Sequence, residues 1–299
     1  MVDLIILGSM GLDDIETPFG KIQNALGGSA TYAAFAASFF AKPGIISVIG
    51  KDFPEQHASL LKEKGIDMKG VYHEEKTFRW KGFYEFDMNE AKTLKTELNS
   101  LATFDPQVPE EYRNAKYVFL GNTHPAHQLK VLKSLKQPQL VMLDTMNLWI
   151  MHEKDALLEA IKQVDILVMN DGEARMLFET VSLVQAAAEA LKLGPQHVII
   201  KKGEHGALYF TDGKHFNAPG YPLETIKDPT GCGDCFGGAL LGYLAHTKDI
   251  SEKNIRKAIV YGSVVASYNA EDFSVNRLKN LTQADIEKRY KDFQEIREF

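Results

Sequence analysis

Residues 228–244 read DPTGCGDCFGGALLGYL, and both cysteines of the 299-residue chain, Cys232 and Cys235, fall inside this one stretch. A C-x-x-C pair is a redox dithiol or half of a zinc site in some proteins; a glycine-rich turn feeding an apolar helix is an anion cradle in others. The two readings belong to unrelated folds, so the stretch is decisive. In the second, Asp228-Pro229-Thr230 closes an irregular segment, and Gly231 and Gly233 permit a tight or positive-φ backbone. Gly237, Gly238, Ala239 and Gly242 are small enough for the helix to pack closely in a core. Several backbone N–H groups then point outward at the helix start, toward an anion. Asp234 lies in that first turn. Alone it would read as a helix cap, but beside an anion cradle a carboxylate is also how phosphoryl transfer obtains its base.

The rest of the chain favours a large α/β domain. Short apolar runs recur, each closed by turn residues: LIILG (4–8), GIISVIG (44–50), YVFLGN (117–122), LVMLD (140–144), DILVMN (165–170) and HVIIKKG (197–203). Helical stretches such as EKDALLEAIKQ and SLVQAAAEALKL lie between them. Continuous apolar strands alternating with helices predict a parallel sheet covered on both faces, with functional groups at the strands' carboxyl ends. Residues 11–26 and about 68–99 break the rhythm. They read as antiparallel, partly exposed strands, and TFRWKGFYEF alternates aromatic and charged residues as a sheet with one wet face does. Two roles are open for them, an edge hairpin or a lid beside Gly27 and Gly28.

Composition narrows the partners. The chain is 44% hydrophobic and 25% charged, with a formal net charge of -6 and no Lys/Arg block, which argues against nucleic acid or an anionic membrane. MVDLIILGSM reads as a strand and turn rather than a signal peptide, and ATYAAFAASFFA is too short to span a bilayer. Two cysteines give no disulfide framework, so a cytoplasmic protein is expected. A structural zinc site wants four ligands, and no second Cys/His pair has the spacing for one.

DPTGCGD closely resembles the D-T-x-G-A-G-D signature of the ribokinase-like (PfkB) carbohydrate kinases. Three further segments follow in that family's order: GGSATYAAFAAS (27–38), its di-glycine signature; NDGE (170–173), its N-x-x-E motif; and VIIKKGEHGALY (198–209), its nucleotide element. The resemblance spans essentially the whole chain and implies a single ribokinase-like domain over residues 1–299. Its fold would be a three-layer α/β/α arrangement with a mostly parallel central sheet plus a small β-sheet lid formed by about 11–26 and 68–99. It implies ATP-dependent transfer of the γ-phosphate to a hydroxyl of a sugar or sugar-containing substrate. A nucleoside acceptor of the adenosine, inosine or guanosine type is the alternative on the same fold.

The implied roles fall on particular residues. Asp234 would be the base, with the amides of Gly231, Cys232 and Gly233 as the anion hole. Asn170 and Glu173 would position Mg²⁺ through water, together with the phosphates. Lys201, Gly203 and Gly206 would lie along the nucleotide, and Gly262 and Ser263 would close the adenine pocket, unless their small size serves helix packing alone. Asp13, Gly27 and Gly28, with Asn122 on the same rim, would bind the acceptor, and DTMN (144–147) ends a strand nearby. A homodimer through the lid is a further implication.

Two departures limit the transfer. Tyr32 stands at the sixth position of the glycine-pair motif, where the family's sugar and nucleoside kinases commonly carry Asn. NAEDFSVNRL (269–278) replaces the glycine-containing stretch with which ribokinases proper bind a monovalent cation, so K⁺ activation is not carried over, although Asp228 keeps a cation site open. A catalytically silent sugar-binding protein is disfavoured because Asp234, Gly231 and Gly233 are all retained. The cysteines then read as passengers with one liability: a thiol at a helix N-terminus is expected to be acidic and open to modification.

Overall fold

The structure, a computed structural model, describes residues 2–298. Its strands, in chain order, are β1 (Leu4–Leu7), β2 (Gly11–Thr17), β3 (Gly20–Gly27), β4 (Pro43–Gly50), β5 (Asp67–Glu74), β6 (Phe78–Tyr84), β7 (Ala91–Glu97), β8 (Tyr117–Leu120), β9 (Leu140–Asp144), β10 (Ile166–Asn170), β11 (His197–Lys201), β12 (Ala207–Thr211) and β13 (Lys214–Ala218). The helices are α1 (Ser29–Ala37), α2 (Glu55–Glu63), α3 (Pro125–Ser134), α4 (Asn147–His152), α5 (Lys154–Ile161), α6 (Asp171–Phe178), α7 (Leu183–Leu193), α8 (Cys232–Thr247), α9 (Glu252–Asn269), α10 (Asn276–Lys279) and α11 (Gln283–Glu295).

Nine strands form one sheet in the order β13-β12-β11-β10-β9-β8-β1-β4-β5. It is parallel from β11 to β5; β12 alone runs against it, pairing antiparallel with both β11 and β13. Every residue of β1, β4, β8 and β9 is buried, as a sheet covered on both faces requires. Leu4 and Ile6 of β1 join the layer of α1, α8 and α9, while Ile5 and Leu7 join that of α3, α5, α6 and α7. The expected three layers are present. Strand order reverses at β1, whose neighbours are β4 and β8, and this opens a crevice at the carboxyl ends.

The small residues of α8 are explained by its packing on α1. A Cβ on Gly238 would fall 2.0 Å from the Ala33 carbonyl oxygen, and one on Gly242 2.9 Å from Ala37 Cα. Any larger side chain would push the helices apart and open the layer.

A second sheet has the order β3-β2-β6-β7 and buries Ile15, Tyr84 and Met88 on one face. One sequence expectation needs correction here. Asp67–Glu74 does not belong to this small sheet; it pairs in parallel with β4 and forms the edge of the large one. Only Gly70 and Val71 of it are buried, as befits that edge position. The β6 strand is likewise parallel, not antiparallel, to β2. The small sheet reaches the crevice through Tyr84, whose hydroxyl lies 3.1 Å from Thr230 Oγ1 just before α8.

Candidate active site

The α8 helix begins at Gly231, which caps it with φ 75° and ψ 0°. An L side chain rarely adopts that backbone, and here its Cβ would also fall 2.3 Å from the Tyr32 ring. The turn is therefore specific to glycine. Of the three amides expected to face an anion, that of Cys232 donates to the Pro229 carbonyl at 3.1 Å and is already engaged. The amides of Gly231, Gly233 and Asp234 have no hydrogen-bond partner among the described residues. Asp234 stands in this first turn, and burial, reinforced by the Asp144 carboxylate and opposed by Lys201, raises its carboxyl to about 7.

Opposite this turn, the carboxyl ends of β9, β10 and β11 bring three charged side chains together. Lys201 Nζ donates to Asp144 Oδ2 at 2.6 Å, with both side chains largely buried. A Cβ on Gly233 would lie 3.1 Å from that same ammonium, so Lys201 overhangs the start of α8. Burial works against its charge, yet Asp144, Glu173 and Asp234 together hold its pKa above the usual lysine value. Lys201 is thus a fixed cation beside the free amides rather than a solvated strand-end lysine. Asp144, which closes the run LVMLD, is a site residue whose role the sequence left unassigned.

Asn170 and Glu173 meet, but partly for a structural reason. They form a capping box on α6: Glu173 N–H donates to Asn170 Oδ1 and Asn170 N–H to Glu173 Oε2, each at 2.7 Å. This leaves Glu173 Oε1 and the Asn170 amide nitrogen for a ligand. Burial above all, with Asp144 adding to it and Lys201 opposing, lifts the Glu173 carboxyl to about 7. No group of three or more His, Cys, Asp or Glu side chains is placed to hold a metal among the described residues. Hard oxygen donors without a cage fit Mg²⁺ held mainly by its own waters and a nucleotide's phosphates, not a structural zinc.

On the acceptor side, Asp13 is 4% exposed and pressed against the glycine pair; a Cβ on Gly27 would overlap its Oδ2 at 1.9 Å. Gly28 has φ 96°, and its Cβ would meet the Ser9 carbonyl at 2.5 Å. Burial, helped by Asp228, Asp234 and Asp14, raises the Asp13 carboxyl to about 8, the Gly28 amide only partly offsetting it. Asn122 sits on the same rim, its carbonyl taking the Ser29 hydroxyl at 3.2 Å. Its side chain is oriented by a residue the sequence did not reveal: the Trp149 indole N–H donates 2.8 Å to Asn122 Oδ1. An indole only donates, so the amide NH₂ is the free end. Nothing in the local pattern of NLWIMH signals this contact, which joins the ends of β8 and α4.

Other expected residues have packing reasons of their own. Gly206 is glycine because the chain passes close by, its Cβ meeting the Ala218 carbonyl at 2.1 Å. Gly262 is packed against α8, 2.8 Å from the Phe236 carbonyl oxygen on the same measure, and the Ser263 hydroxyl donates to Ile259 within its own helix. For Gly262, packing against α8 accounts for the small residue. Gly203 is exposed and open, with only Asn89 Oδ1 near, at 3.5 Å from a Cβ placed there. Asp228 is fully buried, with its two oxygens taken by the amides of Thr230 and Ser274 at 2.9 and 3.2 Å.

The cysteines differ from expectation. Burial, with the Asp228 and Asp234 carboxylates adding to it and a contact from the Asn269 amide opposing, drives the Cys232 thiol up to about 12. Cys235 is fully buried and lies well above the ordinary thiol value. The helix terminus does not acidify Cys232, because burial, seconded by the two carboxylates, outweighs its field. The native protein at pH 7.5 is therefore expected to resist a thiol reagent, with both cysteines labelled only after unfolding. Stoichiometric labelling of Cys232 in the native protein would contradict this.

The model for the pfkB family of carbohydrate kinases matches residues 9–280. The chain belongs to this family. A cytidine kinase of Thermococcus kodakarensis is 32% identical over 250 residues, which are 81% of this chain and 89% of that protein. The crystal structure of the Methanocaldococcus jannaschii nucleoside kinase superposes with a TM-score of 0.78 at 23% identity, covering 97% of this chain and 99% of that one. A putative ribokinase II from E. coli in complex with ATP and Mg²⁺ gives a TM-score of 0.77 at 19% identity, covering 98% and 100%. As a pfkB family member the chain is a phosphotransferase acting on a hydroxyl group of a sugar or nucleoside. No helix among the described residues is long and apolar enough to cross a membrane.

Proposed function

We propose that this chain is an ATP-dependent nucleoside kinase with Asp234 as its general base. The observation that carries the reading is the start of α8, where a carboxylate raised to about 7 stands beside unengaged amides and under the Lys201 ammonium. A base near neutral pKa takes a proton from an attacking hydroxyl without being idle at the working pH. The Gly233 and Asp234 amides, helped by Gly231 in shaping the turn and by Lys201 overhead, hold the negative charge of the transferred phosphoryl group. Because the amide of Cys232 is engaged, its part is structural. Bound Mg²⁺ would neutralise phosphate charge, with Glu173 Oε1 accepting from its waters and the Asn170 NH₂ donating to a phosphate oxygen. Asp13, the glycine pair and the free NH₂ of Asn122 orient the acceptor. The small sheet, which carries Asp13 and Tyr84, serves as the lid.

A nucleoside is preferred to a free sugar because the cytidine kinase relative matches over most of both chains. The aromatic residues of β6 suit a nucleobase as well. The test is a panel of cytidine, uridine, adenosine, inosine, ribose and fructose with Mg²⁺-ATP, following ADP release. Turnover is expected on at least one nucleoside and not on the free sugars. A free sugar used at higher kcat/KM than every nucleoside would overturn the acceptor assignment while leaving the kinase assignment standing.

A further inference from the structure

The small sheet meets the rest of the chain at two places along the crevice. At one, Asp13 of β2 lies against the glycine pair. The other is the turn between β6 and β7, residues 85–90, with the sequence EFDMNE. Met88 pins this turn. Its N–H donates to the Glu85 carbonyl at 3.0 Å and its φ is 54°. Its side chain, 9% exposed, joins Ile15 and Tyr84 in the apolar cluster that packs on Ile226 and Phe273, both outside the small sheet. A non-glycine residue holds a positive φ only where its surroundings fix it, and here burial does so.

Met88 thereby delivers the next residue to the element 201–206. A Cβ placed on Gly203 would lie 3.5 Å from Asn89 Oδ1, in ordinary van der Waals contact. Gly203 and Asn89 are both exposed, so the place where they meet is open to a ligand. The element is a firm platform: Lys202 N–H donates to the Gly206 carbonyl at 2.7 Å, and Gly206 N–H to that of Gly203 at 3.1 Å. Lys201, which overhangs the free amides of α8, is two residues from Gly203, and two residues of chain span at most roughly 7 Å. The turn therefore stands beside whatever follows the phosphates of a nucleotide held at those amides.

Its chemistry suits hydroxyls and not more phosphate. Glu85 is paired with Lys92 at 2.6 Å, but Asp87 and Glu90 are exposed carboxylates that repel a polyphosphate. Asp87 Oδ1 takes the Asn89 N–H at 3.4 Å, which leaves Asp87 Oδ2 and the whole Asn89 carboxamide unbonded among the described residues. A carboxylate oxygen accepts, and a carboxamide both donates and accepts, so the pair matches two neighbouring hydroxyls.

We propose that the β6–β7 turn is a second clasp of the lid that closes on the nucleotide, with Asp87 and Asn89 taking the ribose hydroxyls of the bound nucleoside triphosphate. This deepens the kinase reading and rests on it for the place of the phosphates. The nucleotide alone then orders the turn, before any acceptor binds.

Amide hydrogen exchange of residues 84–90 tests this without an acceptor. It is followed with Mg²⁺-AMP-PNP, a non-hydrolysable ATP analogue, and separately with Mg²⁺-tripolyphosphate, with α2 of the same sample as reference. Saturating AMP-PNP is expected to slow exchange in the turn about tenfold relative to α2, and tripolyphosphate to leave it unchanged. In thermal-shift titrations Asn89→Ala is expected to bind AMP-PNP about three- to tenfold more weakly than the parent. Its ligand-free melting temperature should be unchanged, because the side chain is exposed and unbonded. 2′,3′-Dideoxy-ATP should bind the parent more weakly than ATP by at least that factor, and Asn89→Ala should weaken it no further, as two groups sharing one bond behave. Exchange not slowed by AMP-PNP, equal slowing by tripolyphosphate, or parental affinity of Asn89→Ala for AMP-PNP would each overturn the proposal. A parent protein that AMP-PNP does not stabilise at all would remove the ATP-dependent reading itself, and this clasp with it.

Discussion

Asp234→Asn is expected to lower kcat by about 10²–10⁴-fold and, at the same time, to make the ligand-free protein more stable at neutral pH. Both effects have one cause. Burial and the nearby Asp144 raise this carboxyl from 3.8 to about 7, so ionising it inside the fold is unfavourable. Between those two values the unfolded chain has released the proton and the folded chain has kept it. Stability is therefore highest below the unfolded value and falls as pH rises through the window, with the loss complete above about 7. The Asn variant carries no charge to bury, so its melting temperature should exceed the parent's above pH 7 and converge with it toward pH 4. Activity runs the other way. The base must be ionised, so kcat/KM of the parent should climb with pH and level off above about 7, a limb that Asp234→Asn lacks. Thermal unfolding across pH and an ADP-release assay measure the two halves independently. Near-normal turnover by Asp234→Asn would remove Asp234 from the role of base, and a variant less stable than the parent at pH 8 would contradict the electrostatic account.

Several features of this site were legible in sequence because they are local. An apolar run closed by a turn residue announces a buried strand and its carboxyl end, and that places Asp144, Asn170 and Lys201 on one edge of the sheet without any coordinates. The glycines and Asp234 within seven residues announce a helix start that faces an anion. What was not legible depends on partners distant in sequence. Whether Lys201 is solvated or fixed is decided by Asp144, 57 residues away. The orientation of Asn122 is decided by Trp149 on a short helix with no distinctive pattern. The helix terminus predicts an acidic Cys232, but its burial above all, with the carboxylates of Asp228 and Asp234, outweighs that field. The 67–74 strand is grouped with the small sheet because it directly precedes the alternating run TFRWKGFYEF, and adjacency along the chain does not say which sheet a strand joins.

Gly231→Ala should produce the other large effect, and it differs from Asp234→Asn in damaging fold and function together. The backbone φ of 75° costs a non-glycine residue about 1–3 kcal/mol. The added Cβ would sit 2.3 to 2.5 Å from three carbons of the Tyr32 ring, which is held between α1 and α8 and has nowhere to go. Relieving such an overlap by shifting packed elements costs about 1–3 kcal/mol more. The same shift would displace the Gly233 and Asp234 amides, and the loss of one well-placed oxyanion donor is worth about 10²–10³ in kcat. Gly213→Ala separates the two contributions to stability, because Gly213 has φ 64° but open space where its Cβ would go. It should show the backbone cost alone, with kcat unchanged. If Gly231→Ala were no more destabilising in chemical denaturation than Gly213→Ala, the Tyr32 ring would have to be mobile, and its contact with Gly231 could not be what shapes the turn.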